Sequence, residues 1–336
     1  MRVAVFINGK AGKADAQRIE DAIRRALFRC DTHLFLPEGV SEFQELIVQE
    51  SQTADAIIVC GGDGTLNVAV QPLMTDPRVT RIPPLLPLPM GTANDLASEL
   101  GVSTVRLERA AHLVLESDAK SIDVIEVRAE GRSVFMLTNG GLGIAAETAD
   151  LANQVRQWFA NRAESQALTQ PVFRAGQDLV RQAGSRIYEM LLAGQLMSGR
   201  TRQWLKGWCV SIELENGKHI ETSAPFIMVN NQPGLGGKYV PAPLTSNTDG
   251  TFNIMLLDSP LLHRQAQALF DIRRGRLPDE AYCPRFETSA AVFRSKGKAR
   301  DLTFFGDGEI LHKQVREIEV RCRKHALLVI APQGAL

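Results

Sequence analysis

The sequence predicts an α/β domain built on a parallel sheet, followed by a β-rich domain that carries a helical insertion. Three observations predict it. Over residues 1–120, short apolar runs alternate with segments of helical spacing. From about 121 onward, strand patterns follow one another directly. A long stretch at 144–206 interrupts them with helical spacing and many Arg and Gln. At 336 residues the chain is long enough for two such cores, divided here as 1–120 and 121–336.

The first strand is RVAVFI (2–7). A helix follows at 15–29, with Ala16, Ile19, Ala22, Ile23, Ala26 and Leu27 on one face. HLFL (33–36) reads as a strand and 41–50 as a helix. AIIV (56–59) is a strand, and TLNVAVQPLM begins the next helix. LLPL (85–88) is a strand, followed by the helical patterns TANDLASEL and VRLERAAHLVL. Continuous apolar strands separated by helices imply a parallel sheet covered on both faces. In the second half IDVIEVRA, SVFMLTNGG, GWCVSIEL, KHIETS, FIMVNN, TFNIMLL, AAVFRS, DLTFF, REIEVRC and ALLVIA read as strands. ENGK (215–218) signals a hairpin between two of them.

Composition excludes several classes. Lys+Arg and Asp+Glu are 38 each, so net charge gives no reason to expect nucleic acid as a partner. The five cysteines are scattered and odd in number, and none forms C-x-x-C. This predicts reduced thiols rather than disulfides or structural zinc. The six histidines show no metal-ligand spacing. The apolar run at the N-terminus is too short for a signal sequence, and IPPLLPLPM (82–90) holds too many prolines for a membrane helix. The expectation is a cytoplasmic protein without a transmembrane segment, free to dock peripherally at the inner membrane surface.

Three strand-to-loop junctions carry the chemistry. In GGDG, Gly61, Gly62, Asp63 and Gly64 follow the third strand of the sheet. Asp-Gly favours a hairpin turn, but the following segment does not alternate like a partner strand, and Thr65 is a good helix N-cap. Without Cβ atoms, backbone amides at a helix start can approach a phosphate. The loop is neither a P-loop nor G-x-G-x-x-G. Asp63 could hold Mg²⁺ through water, contact a nucleotide sugar or brace the loop. In LPMGTANDLASEL, Gly91 makes the turn, and Thr92 opens a helix bearing Asn94 and Asp95. INGKAGK (7–13) offers Gly9, Lys10, Gly12 and Lys13. Ligands bind outside the carboxyl ends of parallel strands, so three such loops predict one nucleotide phosphate pocket.

GGDGTLN followed by LPMGTANDLA resembles the diacylglycerol kinase catalytic family, which includes bacterial soluble diacylglycerol and related lipid kinases and, more distantly, sphingosine and ceramide kinases. YVPAPLTSNTDGTFNIMLL (239–257) is similar to the family's P-x-A…D-G segment, and FGDGEIL (305–311) to its D-G-E segment. The resemblance implies an NAD-kinase-like nucleotide domain joined to a β-rich, sandwich-like domain. It implies transfer of the γ-phosphoryl of ATP to a lipid hydroxyl, with Mg²⁺. Gly61, Gly62, Asp63, Gly64, Thr65, Leu66 and Asn67, together with Gly91, Thr92, Asn94 and Asp95, then take ATP-binding positions. Asn8, Gly9, Lys10, Ala11, Gly12 and Lys13 match the family's first phosphate loop, N-P-x-S-G, with Gly9 for Pro and Ala11 for Ser. Phe35 or Leu36 stands where the family often has Thr. Asp307 and Glu309 match the catalytic acidic pair, with Glu309 as proton acceptor. Asp249 matches a position that binds Mg²⁺ away from the reacting phosphate, with Ser246 and Thr251 giving backbone oxygens. An EF-hand reading of that loop fails, because its first and twelfth positions would be Thr245 and Leu256.

The leading expectation is an ATP-dependent lipid kinase with a lipid substrate at a membrane surface. Two rivals stand beside it, an NAD-kinase-like enzyme of the same superfold and a non-catalytic nucleotide- or lipid-binding regulator. The Arg and aromatic residues of 151–208, Arg156, Trp158, Phe159 and Trp204 among them, suit either a membrane interface or a helical hairpin packed on the β-rich domain. Homo-oligomerisation and the acceptor lipid stay open.

Overall fold

The computed structural model describes residues 1–8, 13–91, 93–165, 208–259, 261–296 and 301–332. The predicted loop residues Gly9, Lys10, Ala11, Gly12 and Thr92 lie outside these, as does most of the 144–206 insertion.

The first half alternates as the apolar runs require. Strand β1 (Arg2–Ile7), helix α1 (Lys13–Ala26), β2 (Asp31–Phe35), α2 (Val40–Ser51), β3 (Ala56–Gly61), α3 (Asp63–Thr75) and β4 (Leu85–Pro89) come in order, then α4 (Asp95–Glu99) and α5 (Leu107–Glu116). The four strands are parallel in the order β2-β1-β3-β4. Val3 to Ile7 and Ala56 to Cys60 are buried, because helices cover both faces of these central strands. β2 lies at the edge and is only partly buried.

The second half supplies β5 (Ala119–Ala129), β6 (Arg132–Met136), β7 (Asn139–Gly143), α6 (Ile144–Ser165), β8 (Val210–Leu214), β9 (His219–Thr222), β10 (Phe226–Asn230), β11 (Phe252–Leu257), α7 (Leu262–Arg273), β12 (Arg285–Thr288), β13 (Ala290–Ser295), β14 (Leu302–Gly306), β15 (Glu309–Val315) and β16 (Glu317–Ile330). Strands β12-β11-β10-β7-β14-β15 form an antiparallel six-stranded sheet. Its inner face packs on β5, β8, β13 and β16 through Leu142, Ile227, Ile254 and Phe304 against Val127, Ile212, Phe293 and Ile318. The result is a sandwich.

Three predicted elements differ. REIEVRC and ALLVIA are one strand, β16, which pairs with β5 throughout and changes register between Arg323 and Leu327. Its end lies parallel to β4, Val329 opposite Leu85, so the C-terminal strand joins the parallel sheet. SVFMLTNGG is two strands in different sheets, β6 and β7, separated at Leu137 and Thr138. Helix α7 has no counterpart in the sequence reading. Its buried face is Gln265, Ala268 and Ile272, and a buried glutamine hides the apolar period. The Gln265 side-chain amide donates to the Ser259 carbonyl at 2.7 Å. Among the described residues, no helix is long and apolar enough to cross a membrane.

Candidate active site

Ile7, Cys60, Gly61 and Pro89 end β1, β3 and β4 on the same edge of the sheet, in register with one another. The loops after these strands therefore converge. The Met90 N–H donates to the Gly61 carbonyl at 2.9 Å, and the Asn8 N–H to the Cys60 carbonyl at 3.1 Å. A Cβ on Gly91 would stand 2.6 Å from the Gly62 Cα, so only two glycines let these loops touch. The Asn8 side-chain amide donates to the Thr65 hydroxyl at 2.8 Å, tying the first loop to α3.

Helix α3 begins at Asp63, with Gly62 as N-cap. Thr65 is therefore inside the first turn rather than at the cap. Its hydroxyl is spent on Asn8, and its N–H donates to the Gly62 carbonyl at 3.0 Å. The N–H groups at the start of a helix have no intrahelical acceptor, which is what an anion site needs. The second helix starts later than expected, at Asp95. Asn94, at φ 52°, closes its own loop by accepting from the Gly91 N–H and donating to the Gly91 carbonyl, both at 2.8 Å.

Several residues expected to touch the nucleotide spend their side chains inside the protein. Leu66 is buried in the first core. Asn67 donates to the Phe135 carbonyl at 2.9 Å and to Asp307 Oδ2 at 2.8 Å. Asp95 accepts from the Gly236 and Gly237 N–H groups at 2.7 and 2.9 Å, pinning the loop after β10 to the start of α4, which follows β4. Gly236 and Gly237 carry no signal as isolated residues. Only the fold brings them to Asp95.

Asp307 and Gly308 are the two central residues of the β14–β15 hairpin, both with positive φ (52° and 81°), and Gly306 pairs with Glu309. This is the turn that Asp-Gly favours. The Asp307 carboxylate is buried. It accepts from the Leu137 N–H (2.9 Å), the Thr138 N–H (2.9 Å), the Thr138 hydroxyl (2.7 Å) and Asn67 (2.8 Å). Burial pushes its carboxyl above the ordinary range, against these four hydrogen bonds, which favour the charged form. Asp307 thus has no lone pair left for a reacting group. It is a clasp that ties the hairpin to α3 and fixes the bend between β6 and β7.

Glu309 is exposed, on the far side of the same turn. Its Oε1 lies 3.9 Å from where a Gly64 Cβ would stand, and Asn153 of α6 donates to its Oε2 at 3.2 Å. The structure therefore sets one carboxylate directly over the GGDG loop and gives it an orienting amide. Asn153 escapes sequence reading because nothing local marks it.

Asp63 lies between these groups. Burial, then Asp95, then Asp307 push its carboxyl up to about 7. Its Oδ1 accepts from the Leu96 N–H at 3.4 Å. The Asp249 turn lies elsewhere. Asp249 Oδ1 accepts from the N–H and hydroxyl of Thr251, both at 2.8 Å, and Ser246 shares a 2.8 Å hydrogen bond with Thr248. The turn is anchored to β5, since the Gly250 N–H donates to Asp123 Oδ2 at 2.6 Å. Among the described residues, no cluster of three His, Cys, Asp or Glu side chains could hold a metal.

Residues 2–127 match the family model of the diacylglycerol kinase catalytic domain. A Citrobacter koseri protein named "Probable lipid kinase YegS-like" is 32% identical over 149 residues, 43% of this chain and 48% of that protein. An Escherichia fergusonii protein named "Probable lipid kinase YegS" is 33% identical over 150 residues, with the same two shares. The chain spans about half the length of the curated relatives it matches. The crystal structure of a diacylglycerol kinase from Bacillus anthracis str. Sterne superimposes with a TM-score of 0.68. That match covers 100% of this chain and 98% of that one at 19% identity, which shows a shared fold. The resemblance carried by GGDGTLN and LPMGTANDLA is therefore shared by the family model, and over residues 2–127 the chain is similar to the diacylglycerol kinase catalytic domain.

Proposed function

We propose that this protein is a lipid kinase that transfers the γ-phosphoryl of ATP to a lipid hydroxyl. In this reading residues 1–120 bind the nucleotide and 121–336 the lipid. The single observation that carries it is the place of Glu309, above the amides of Gly62 to Gly64 and held there by the Asp307 hairpin. The amides cradle phosphate oxygens. Glu309 accepts the proton of the lipid alcohol as that oxygen bonds to phosphorus and the bond to the leaving ADP oxygen breaks. Residues Asn8 to Lys13, of which Gly9 to Gly12 lie outside the described residues, are assigned the first phosphate loop on their resemblance to N-P-x-S-G, a role in which Lys10 and Lys13 would supply positive charge.

Asp63 fits Mg²⁺. It is an oxygen ligand at the pocket, and its carboxyl is raised by burial and by two neighbouring acids, a balance that a cation would reverse. When bound there, Mg²⁺ supplies charge neutralisation for the phosphates. Asp249, with the backbone oxygens of Ser246 and Thr251, is an oxygen-only set for a second, non-reacting Mg²⁺. Its turn is self-bonded and belongs to the scaffold.

The test is labelled ATP and Mg²⁺ with mixed micelles of diacylglycerol, monoacylglycerol, ceramide, a sphingoid base and phosphatidylglycerol. Wild type is expected to label at least one lipid, and Glu309→Gln to lose that labelling while still binding ATP. ATP binding with no lipid labelled, or full activity in Glu309→Gln, would overturn the reading.

A further inference from the structure

A lipid kinase must meet its acceptor at a bilayer, and one face of this molecule is built for that contact. Helix α7 turns Gln265, Ala268 and Ile272 inward. Its outer face carries His263, Ala266, Gln267, Phe270, Arg273 and Arg274, at the i, i+3 and i+4 spacing of one exposed stripe. The chain leaves the helix through Arg276 and Leu277, both exposed.

This patch combines cations with exposed apolar side chains. Phe270 is 47% exposed and Leu277 42%. Arg264, Arg273, Arg274 and Arg276 have no ion-pair partner among the described residues. Elsewhere some arginines are paired with carboxylates, as in Arg2–Glu50, Arg78–Glu45, Arg294–Glu213 and Arg323–Glu126, and others, such as Arg29, Arg128 and Arg321, are exposed singly on other elements. The acids of the α7 region are also engaged. Asp271 accepts from Gln267 at 3.0 Å, Asp279 from the Ala281 N–H at 2.9 Å, and Glu280 pairs with Arg285 at 2.9 Å. Arg274 stacks over the Phe270 ring at 4.1 Å, so charge and apolar surface are presented together. The chain as a whole is neutral, with 38 basic and 38 acidic residues, so this concentration of cations is local.

The patch lies one loop from the site. The Val240 N–H donates to the Ile272 carbonyl at 3.0 Å, joining the end of α7 to the loop after β10. Gly236 and Gly237 of that loop are the residues that clasp Asp95.

We propose that α7 and the 274–277 segment form the face that docks on an anionic bilayer, with Phe270 and Leu277 entering the interface and Arg273, Arg274 and Arg276 meeting lipid phosphates. Arginine stems lie along apolar surface while their heads bind anions, and aromatic and aliphatic side chains enter between headgroups. Docking there sets the loop after β10, and through it the pocket, against the lipid that supplies the acceptor. The proposal rests on the lipid-kinase reading for its purpose but not for its test.

The experiment is co-sedimentation of the full chain with phosphatidylcholine vesicles, with and without phosphatidylglycerol. Wild type is expected to bind only the anionic vesicles and to be released by salt. Arg273→Glu with Arg274→Glu and Arg276→Glu should bind about a hundredfold more weakly, at about 1 kcal/mol per basic residue. The same charge change at exposed sites elsewhere (Arg29→Glu, Arg128→Glu, Arg321→Glu) should bind like wild type. In Phe270→Trp the added indole emission should shift to the blue on anionic vesicles. Phosphorylation of a short-chain, water-soluble acceptor should be the same in the α7 variant and wild type. Equal vesicle binding by the α7 variant, equal loss in the control variant, no indole shift, or a change of oligomeric state on reversing the α7 charges would overturn the proposal. If no acceptor is phosphorylated yet vesicle binding falls as stated, the kinase reading fails and the docking face stands.

Discussion

The phosphate-loop edge and the acid hairpin meet at one pocket but are held in opposite ways. The loops after β3 and β4 are closed by near neighbours: Thr65 on Gly62, Asn94 on Gly91. The hairpin of Asp307 and Glu309 is held by groups 156 to 240 residues away along the chain. In the proposed reading the first region binds through backbone amides, which any sequence supplies once glycines permit the approach. The second needs a particular carboxylate at a particular place, and four distant donors fix it. Affinity for nucleotide should therefore tolerate side-chain changes that abolish transfer.

That contrast can be broken most directly at Glu309. Glu309→Gln should lower kcat by about 10²–10⁴, the usual contribution of a positioned acid or base, with unchanged nucleotide affinity and unfolding midpoint. A parallel loss of ATP binding would mean the two regions do not divide the work. Asp307→Ala should instead unfold the molecule more easily by about 3–5 kcal/mol, since it strips the charge from four buried donors. Urea titration reads this, and a wild-type midpoint would remove the clasp. Asp63→Asn sharpens the comparison through pH. The folded protein holds the Asp63 proton up to about pH 7, whereas the unfolded chain releases it near the ordinary carboxylate value. Ionisation therefore costs stability as pH rises through that window, and the full cost is present above it. The variant should gain roughly 1–3 kcal/mol above pH 7, discounted for partial exposure, and nothing below about pH 4. Melting curves across that range show whether the gain has this sign. Gly91→Ala should cost about 1–3 kcal/mol by forcing the loop off Gly62, and here nucleotide affinity should fall with stability. Asn8→Ala has the smallest expected effect, about 0.5–1.5 kcal/mol for one hydrogen bond to Thr65.

Much of the parallel half was legible because each of its signals is local. Apolar runs such as AIIV cannot lie at a surface, and glycine after a strand permits a tight loop. The two helix starts were misplaced by two or three residues, one too late and one too early, because Thr65 and Thr92 have the chemistry of caps while Gly62 and Asn94 hold the cap positions. The role of Asp307 was not legible. The resemblance made Glu309 the proton acceptor but left Asp307 beside it as a second catalytic acid, and only burial shows it as a clasp. Asn153, Gly236 and Gly237 were missed because each acts through a partner far along the chain.

The sequence by itself determined the parallel sheet, the antiparallel strands and the glycine loops at the sheet edge, since periodicity and backbone freedom belong to the chain's local chemistry. Tertiary structure alone decided that β16 returns to β4, that Asp307 is spent internally, and that Glu309 faces Gly64. These depend on which distant donors reach a buried carboxylate, and no spacing along the chain encodes that distance.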